Sequence, residues 1–184
     1  MSARAVRRRK RRSRLQQENP LRGAIRGAAW IAAVALICVI LRLLVFHLVR
    51  IEGGSMEDTL NSGEIALVTS FDYRFGAIPA RGDIVECRFP GRVDTYVKRV
   101  IGLPGETVEI REGRTYIDGI AIAEPYVFSI AEDYSIALGE NEYLLLGDNR
   151  CESYDSRAED MGPVGAEDLL GRVRLCVWPL HGVE

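Results

Sequence analysis

Residues 51–60 read IEGGSMEDTL, and within them Ser55 is a side chain that could act as a nucleophile. Gly53 and Gly54 precede it, which lets backbone approach a reacting carbonyl closely. A flexible exit from an apolar segment would use the same glycines, so the serine alone decides nothing. A serine hydroxyl needs a base before it attacks. Histidine is the usual base, but the chain holds two, His47 inside an apolar run and His181 near the C-terminus. A Ser-His-Asp triad is therefore not expected. Lysine is a substitute for histidine in this role. Beyond residue 26 the chain has a single lysine, Lys98 in TYVKRVIG, and every other cation there is arginine. Strand alternation puts Lys98 and Arg99 on opposite faces. An arginine keeps its proton, whereas a lysine in an apolar pocket gives it up. A lysine snorkelling from a strand edge is the plainer alternative.

A third stretch, LLLGDNRCESYDSR at 144–157, follows an apolar strand with Asp148, Arg150, Glu152, Asp155 and Arg157. Salt bridges that hold a loop account for most of these charges. The acids do not have the spacing of a calcium-binding loop, and the setting of an aspartic protease is absent. With two histidines and no CxxC, a zinc site is not expected. Cys38 lies in the apolar run, which leaves Cys87, Cys151 and Cys176 for the rest of the chain and room for at most one disulfide among them.

These residues need elements to hold them. Residues 1–26 carry ten Lys/Arg and one acid, whereas the remainder carries 14 Lys/Arg and 25 acids. Such a basic head is a solvated, disordered run by default, and runs of this kind bind nucleic acid in other settings. Here it precedes AAWIAAVALICVILRLLVFHLV, residues 28–49, long enough as a helix to span about 33 Å. Arg42 and His47 sit near its far end, where long side chains reach an interface. The basic region and the core are too long for a cleaved leader, and no small-x-small site follows. The expected division is a cytoplasmic head at 1–26, a transmembrane helix at 27–49 and an extracytoplasmic domain at 50–184, oriented by the positive-inside rule. A lipid bilayer is then a partner, and nucleic acid is not.

Residues 50–184 show short alternating runs rich in Val, Ile, Tyr and Thr, which predicts strands at 64–71, 83–89, 94–101, 106–110, 114–118, 142–148 and 171–178. Glu112-Gly113 and Asp118-Gly119 are hairpin signals. The expected fold is mostly β: a compact antiparallel sheet domain preceded by a single N-terminal transmembrane helix. Residues 151–166 read as a polar loop.

GSMEDTL, YVKRVIGLPGE and GDNRCESYDSR, in that order after an anchor and with RGDIV at 81–85, resemble the motifs of the bacterial type I signal peptidases. The resemblance covers nearly all of residues 28–178. It implies a membrane-anchored serine protease that removes signal peptides from exported preproteins, with a Ser/Lys dyad, a mostly β catalytic domain and no cofactor or metal. Residue by residue it implies that Ser55 is the nucleophile, Lys98 the general base and Ser153 the group that orients the lysine. Asp148, Asp155, Arg157 and Arg99 match supporting charged positions, and Ile51, Leu60 and Val97 match positions that line substrate pockets. Two positions depart from the family pattern. Asp58 stands where a proline is usual, and Gly53 stands where some members carry an oxyanion-stabilising serine. The short segment between the lysine and GDNR motifs implies that the large extra β domain of some members is missing. The other readings are a different Ser/Lys hydrolase, such as a self-cleaving repressor, and a non-enzymatic anchored β module that binds a surface partner.

Overall fold

The computed structural model describes residues 20–74 and 76–183. Most of the expected basic tail, residues 1–19, lies outside the described residues. The chain divides into two units, one ending at Leu43 and the other running from Leu44 to Glu184.

Helix α1, Pro20–Val45, starts at a proline, which a first helical position tolerates. Its stretch Arg22–Ile40 is long and apolar enough to cross a membrane, and none of that stretch is buried within the protein. Trp30 and Ile31 are both exposed. A helix that shows apolar side chains all round needs a nonaqueous surrounding or a cover.

The apolar run does not stay helical to Val49. Phe46–Arg50 forms strand β1, paired antiparallel with β2, Ile65–Thr69, so that Val49 faces Ala66. Phe46, His47, Leu48 and Val49 read as apolar continuation of a helix in isolation. Pairing with β2 offers their backbone a full ladder, and such tertiary pairing overrides a weak local preference.

Eight strands make the larger sheet. Besides β1 and β2 these are β3 (Ile84–Cys87), β4 (Tyr96–Gly102), β9 (Glu142–Leu146), β10 (Val164–Gly165), β11 (Leu169–Trp178) and β12 (Leu180–Gly182). Their order is β1-β2-β11-β3-β4-β9-β10, with β12 paired to β11. Between β4 and β9 the chain makes a four-stranded sheet from β5 (Thr107–Arg111), β6 (Arg114–Ile117), β7 (Ile120–Ala121) and β8 (Tyr134–Ala137), in the order β7-β6-β5-β8. All pairs are antiparallel, as the expected fold class requires. A one-turn helix α2, Phe71–Arg74, follows β2. The hairpins at 112–113 and 118–119 have positive φ at both central residues, 51° and 74°, then 49° and 79°, the backbone of a type I′ turn.

Strands β4 and β9 are covered on both faces. Val100 and Leu145 enter a core cluster with Val85, Cys87, Phe89 and Leu169, whereas Ile101, Leu144 and Leu146 enter a second with Val108, Ile110 and Ile117. A strand buried on both sides reads as a continuous apolar run, which is why YLLL at 143–146 shows no alternation. A third cluster of Ile51, Met56, Leu60, Ala66, Val68, Ile84, Val173 and Cys176 anchors the loop that carries Ser55.

Candidate active site

Three segments meet over the middle of β4. Ser55 comes from the loop between β1 and β2, Lys98 from β4, and Ser153 from the loop after β9. Lys98 Nζ lies 2.7 Å from Ser55 Oγ and 3.2 Å from Ser153 Oγ. The lysine is 3% exposed. Burial pushes its amine below the ordinary lysine value. The Asp155 carboxylate and the Cys87 thiol pull it back up, and the Arg157 guanidinium adds to the lowering. A buried amine shifted this way gives up its proton more readily than a free lysine.

Arg99 turns to the other side of the strand, as alternation requires. Its Nε and Nη2 meet Asp148 Oδ1 and Oδ2 at 2.8 and 2.7 Å, a two-pronged pair with both side chains nearly unexposed. Arg99 Nη1 donates to Gly82 O at 2.9 Å, and the Tyr126 ring stacks on the guanidinium at 3.8 Å. Thr59 donates to Asp148 Oδ2 at 2.6 Å, which ties the far end of the Ser55 loop to the same pair. A buried pair of this kind holds geometry more than it adds net stability.

The loop 147–157 is shaped by its own charges. Asp155 accepts from Gly147 N at 3.0 Å and from Arg157 Nε and Nη2 at 2.8 and 2.9 Å. Burial alone would raise the Asp155 carboxyl, but the Arg157 guanidinium, with the Ser153 hydroxyl and the Gly147 N–H, holds it below the usual carboxylate range. Arg157 Nη2 also donates to Arg150 O at 2.8 Å, closing the loop. Ser153 is thereby linked to Asp155 on one side and Lys98 on the other.

Gly147 permits the approach of these segments. A Cβ there would stand 2.2 Å from Ser153 Oγ and 2.3 Å from the backbone oxygen of Ser55. The loop after Ser55 is a closed turn despite Asp58 in place of the family's proline, since Leu60 N donates to Met56 O at 2.8 Å.

A groove of about 450 Å³ opens beside the dyad, with Val49, Ile51, Ser55, Tyr96, Val97 and Lys98 among its walls. Ile51 and Val97 are thus both walls of this groove. Leu60 does not line it. Its side chain is fully buried in the cluster beneath, packed with Ile51 and Met56, so it can act on a substrate through the residues it supports.

Neither histidine takes part. His47 pairs with Glu86, and His181 Nε2 lies 3.0 Å from Glu64 Oε2. His181 also lies close to Cys176, in a group with Glu64 whose ligand atoms all fall within 4.8 Å of one another. The cysteines Cys38, Cys87, Cys151 and Cys176 are unpaired.

Two residues that reach the site from the loop after β9 escaped the sequence reading. Arg150, read there as one charge among several, is buried and pairs with Glu124 at 2.5 Å while donating to Gly147 O at 2.9 Å. Asn149 reaches back to the Ser55 loop. Its place in a GDN run after an apolar strand was the available signal, but partners on residues far away in sequence were not visible.

A buried lysine amine beside a serine hydroxyl, with a groove alongside, is the geometry a serine hydrolase needs. The signal peptidase family, peptidase S26, matches residues 24–178. The chain belongs to that family and is a serine endopeptidase. It is 36% identical over 170 residues to signal peptidase I of Bacillus amyloliquefaciens, with 86% of each chain covered. It is 35% identical over 172 residues to signal peptidase I of Bacillus caldolyticus, covering 84% of this chain and 92% of that one. Among solved structures it is similar to a signal peptidase I from Enterococcus faecalis V583, with TM-score 0.48 and 32% identity over 52% of this chain and 96% of that one.

Proposed function

We propose that Ser55 is the nucleophile and Lys98 the general base in a peptide-bond hydrolysis that removes N-terminal signal peptides from exported preproteins. The observation that carries this reading is the 2.7 Å approach of a buried lysine amine to the serine hydroxyl at the wall of a groove.

With Lys98 neutral, the Ser55 O–H donates to the Nζ lone pair. The hydroxyl oxygen attacks the scissile carbonyl as Nζ takes its proton. The carbonyl oxygen becomes an oxyanion, for which the backbone N–H of Ser55 is the donor within reach. Collapse breaks the peptide C–N bond, and the Lys98 ammonium protonates the leaving amine. Water then attacks the acyl ester, giving its proton to Lys98, which returns it to Ser55 Oγ as the ester bond breaks and the signal peptide carboxylate is freed. Ser153 holds Nζ on line by a hydrogen bond. Asp155 and Arg157 shape the loop that carries Ser153, and Arg99 with Asp148 braces β4 against the Ser55 loop.

Incubating the detergent-solubilised protein with a secreted preprotein should release the mature chain, and Ser55→Ala should release none. Cleavage by Ser55→Ala at the wild-type rate would overturn the assignment. Ile51 and Val97 as groove walls leave room for small side chains. Changing the residue before the cut from Ala to Phe should lower kcat/KM by at least about 100-fold, near the upper range for a filled apolar pocket. Equal rates for the two substrates would remove these walls as specificity determinants.

We place α1 in the cell membrane, with the basic head on the cytoplasmic side and residues 50–184 outside, because the ten cations of residues 1–26 precede the span. Ser55 follows the apolar run closely in the sequence, which suits substrates whose own apolar segment lies in the bilayer. Protease added to intact, wall-free cells should digest the β-rich domain. Full protection of that domain would reverse the orientation.

A further inference from the structure

The peptide unit between Gly54 and Ser55 has two polar ends. Its carbonyl oxygen, Gly54 O, accepts Asn149 Nδ2–H at 3.2 Å and Glu57 N–H at 3.3 Å. Its other end is the Ser55 N–H, which meets no acceptor among the described residues. The bond is trans, and a trans peptide is planar with C=O and N–H pointing opposite ways. A group that fixes Gly54 O therefore aims the Ser55 N–H. Gly53 and Gly54 carry no side-chain donor that could share this task.

Asn149 is well placed to fix it. The residue is buried, and its own N–H donates to Ser55 O at 3.1 Å, so it grips the carbonyls on both sides of Ser55. Its Oδ1 lies 3.2 Å from Ser129 Oγ and 3.4 Å from Cys151 Sγ, both of which donate to it. Ser129 Oγ in turn accepts Cys151 N–H at 3.2 Å, leaving the hydroxyl proton for Asn149. A backbone carbonyl only accepts, so the amide must turn its NH2 toward Gly54. Donors at one end and an acceptor at the other leave one orientation of the side chain.

We infer that Asn149 is a positioning residue: its amide holds the Gly54–Ser55 peptide so that the Ser55 N–H points at the oxygen of the scissile carbonyl, and Ser129 sets the amide. This rests on Ser55 as the nucleophile. Nothing in it touches the proton on Lys98.

The test compares turnover with binding of a peptide aldehyde, which forms a hemiacetal with the serine and places its oxygen where the oxyanion develops. Asn149→Leu keeps the shape and removes the amide. Loss of an oxyanion donor costs about 10²–10³ in kcat, so a misaimed donor should cost about 10–100-fold. KM should stay within about 3-fold, and aldehyde affinity should fall in step with kcat. The acid limb of the pH–rate profile should stay in place, whereas a change that disturbed Lys98 would move it. Ser129→Ala should show the same pattern at about 3–10-fold, consistent with loss of one supporting hydrogen bond. If Asn149→Leu fails to fold by circular dichroism, Ser129→Ala carries the test alone. Undiminished aldehyde affinity in the folded variant, or a rise in KM with kcat intact, overturns the positioning role. An active Ser55→Ala would instead overturn the reading beneath it.

Discussion

Lys98→Met is expected to abolish cleavage and to leave the protein at least as stable as the wild type at pH 7. The methionine keeps the apolar stem and removes the titrating amine. Loss of general-base catalysis is worth about 10²–10⁴-fold, and in the proposed mechanism the same group also protonates the leaving amine, so the fall should reach at least the top of that range. Stability moves the other way because burial lowers the Lys98 value in the folded state. In the unfolded chain the amine titrates near ~10.4. Between the lowered folded value and that ordinary one, the unfolded state binds the proton and the folded state does not. Wild-type stability therefore rises with pH across this window, and the penalty is full below it. The advantage of Lys98→Met should be largest at and below the folded value and shrink as pH climbs toward ~10.4. Ser153 loses its contact with Nζ, but it keeps Asp155 as a partner, so that loss offsets little. Lys98→Arg should be inactive as well, since a guanidinium keeps its proton, and less stable, since a larger fixed charge enters a buried site. Urea unfolding at several pH values checks the series. Activity in Lys98→Met, or a much lower urea midpoint, would contradict a buried neutral amine.

Gly147→Ala should also lower activity sharply, without touching any reacting group. The added methyl would overlap Ser153 Oγ at 2.2 Å and Ser55 O at 2.3 Å. Ser153 can rotate away, but the Ser55 oxygen is backbone and moves only with the loop that holds the hydroxyl. A displacement of about 1 Å at the reacting atoms costs on the order of 10²-fold. Overpacking of this kind also destabilises by about 1–3 kcal/mol. The double variant Gly147→Ala, Ser153→Gly should recover little of the rate, because the clash with Ser55 O remains. Kinetics and thermal unfolding of both variants check this. Full recovery in the double variant would show that Ser55 does not stand so close to Gly147.

The large expected effect at Gly147 illustrates what a sequence carries and what it does not. Alternation and turn residues located the strands that became β2 to β6 and β11, and a short apolar run located β9, because those signals act over a few neighbouring positions. Glu112-Gly113 and Asp118-Gly119 specify their turns by backbone preference alone. Chemistry was legible in the same way: a lone lysine among arginines and a serine after two glycines are unusual choices of residue type, and their order matched a family pattern.

Other features depend on partners distant in the chain. The end of α1 at Val45 was not readable from an apolar run that continues to Val49, since β1 exists through its ladder with β2. Strand β8, with four residues, is stabilised by β5 and carries little signal of its own. Leu60 resembles a pocket residue by motif position, yet packing of the loop turns it into the core.

The sequence by itself determined the family, the mostly β architecture and the candidate residues Ser55, Lys98 and Ser153, because residue type and local periodicity are properties of short segments. The tertiary structure decided which of those groups meet. It brought Nζ to 2.7 Å from Oγ across 43 positions of chain, and Asn149 to Gly54 across 95. Such contacts are set by strand register and by the burial of the segments that carry them, which depend on the whole sheet at once.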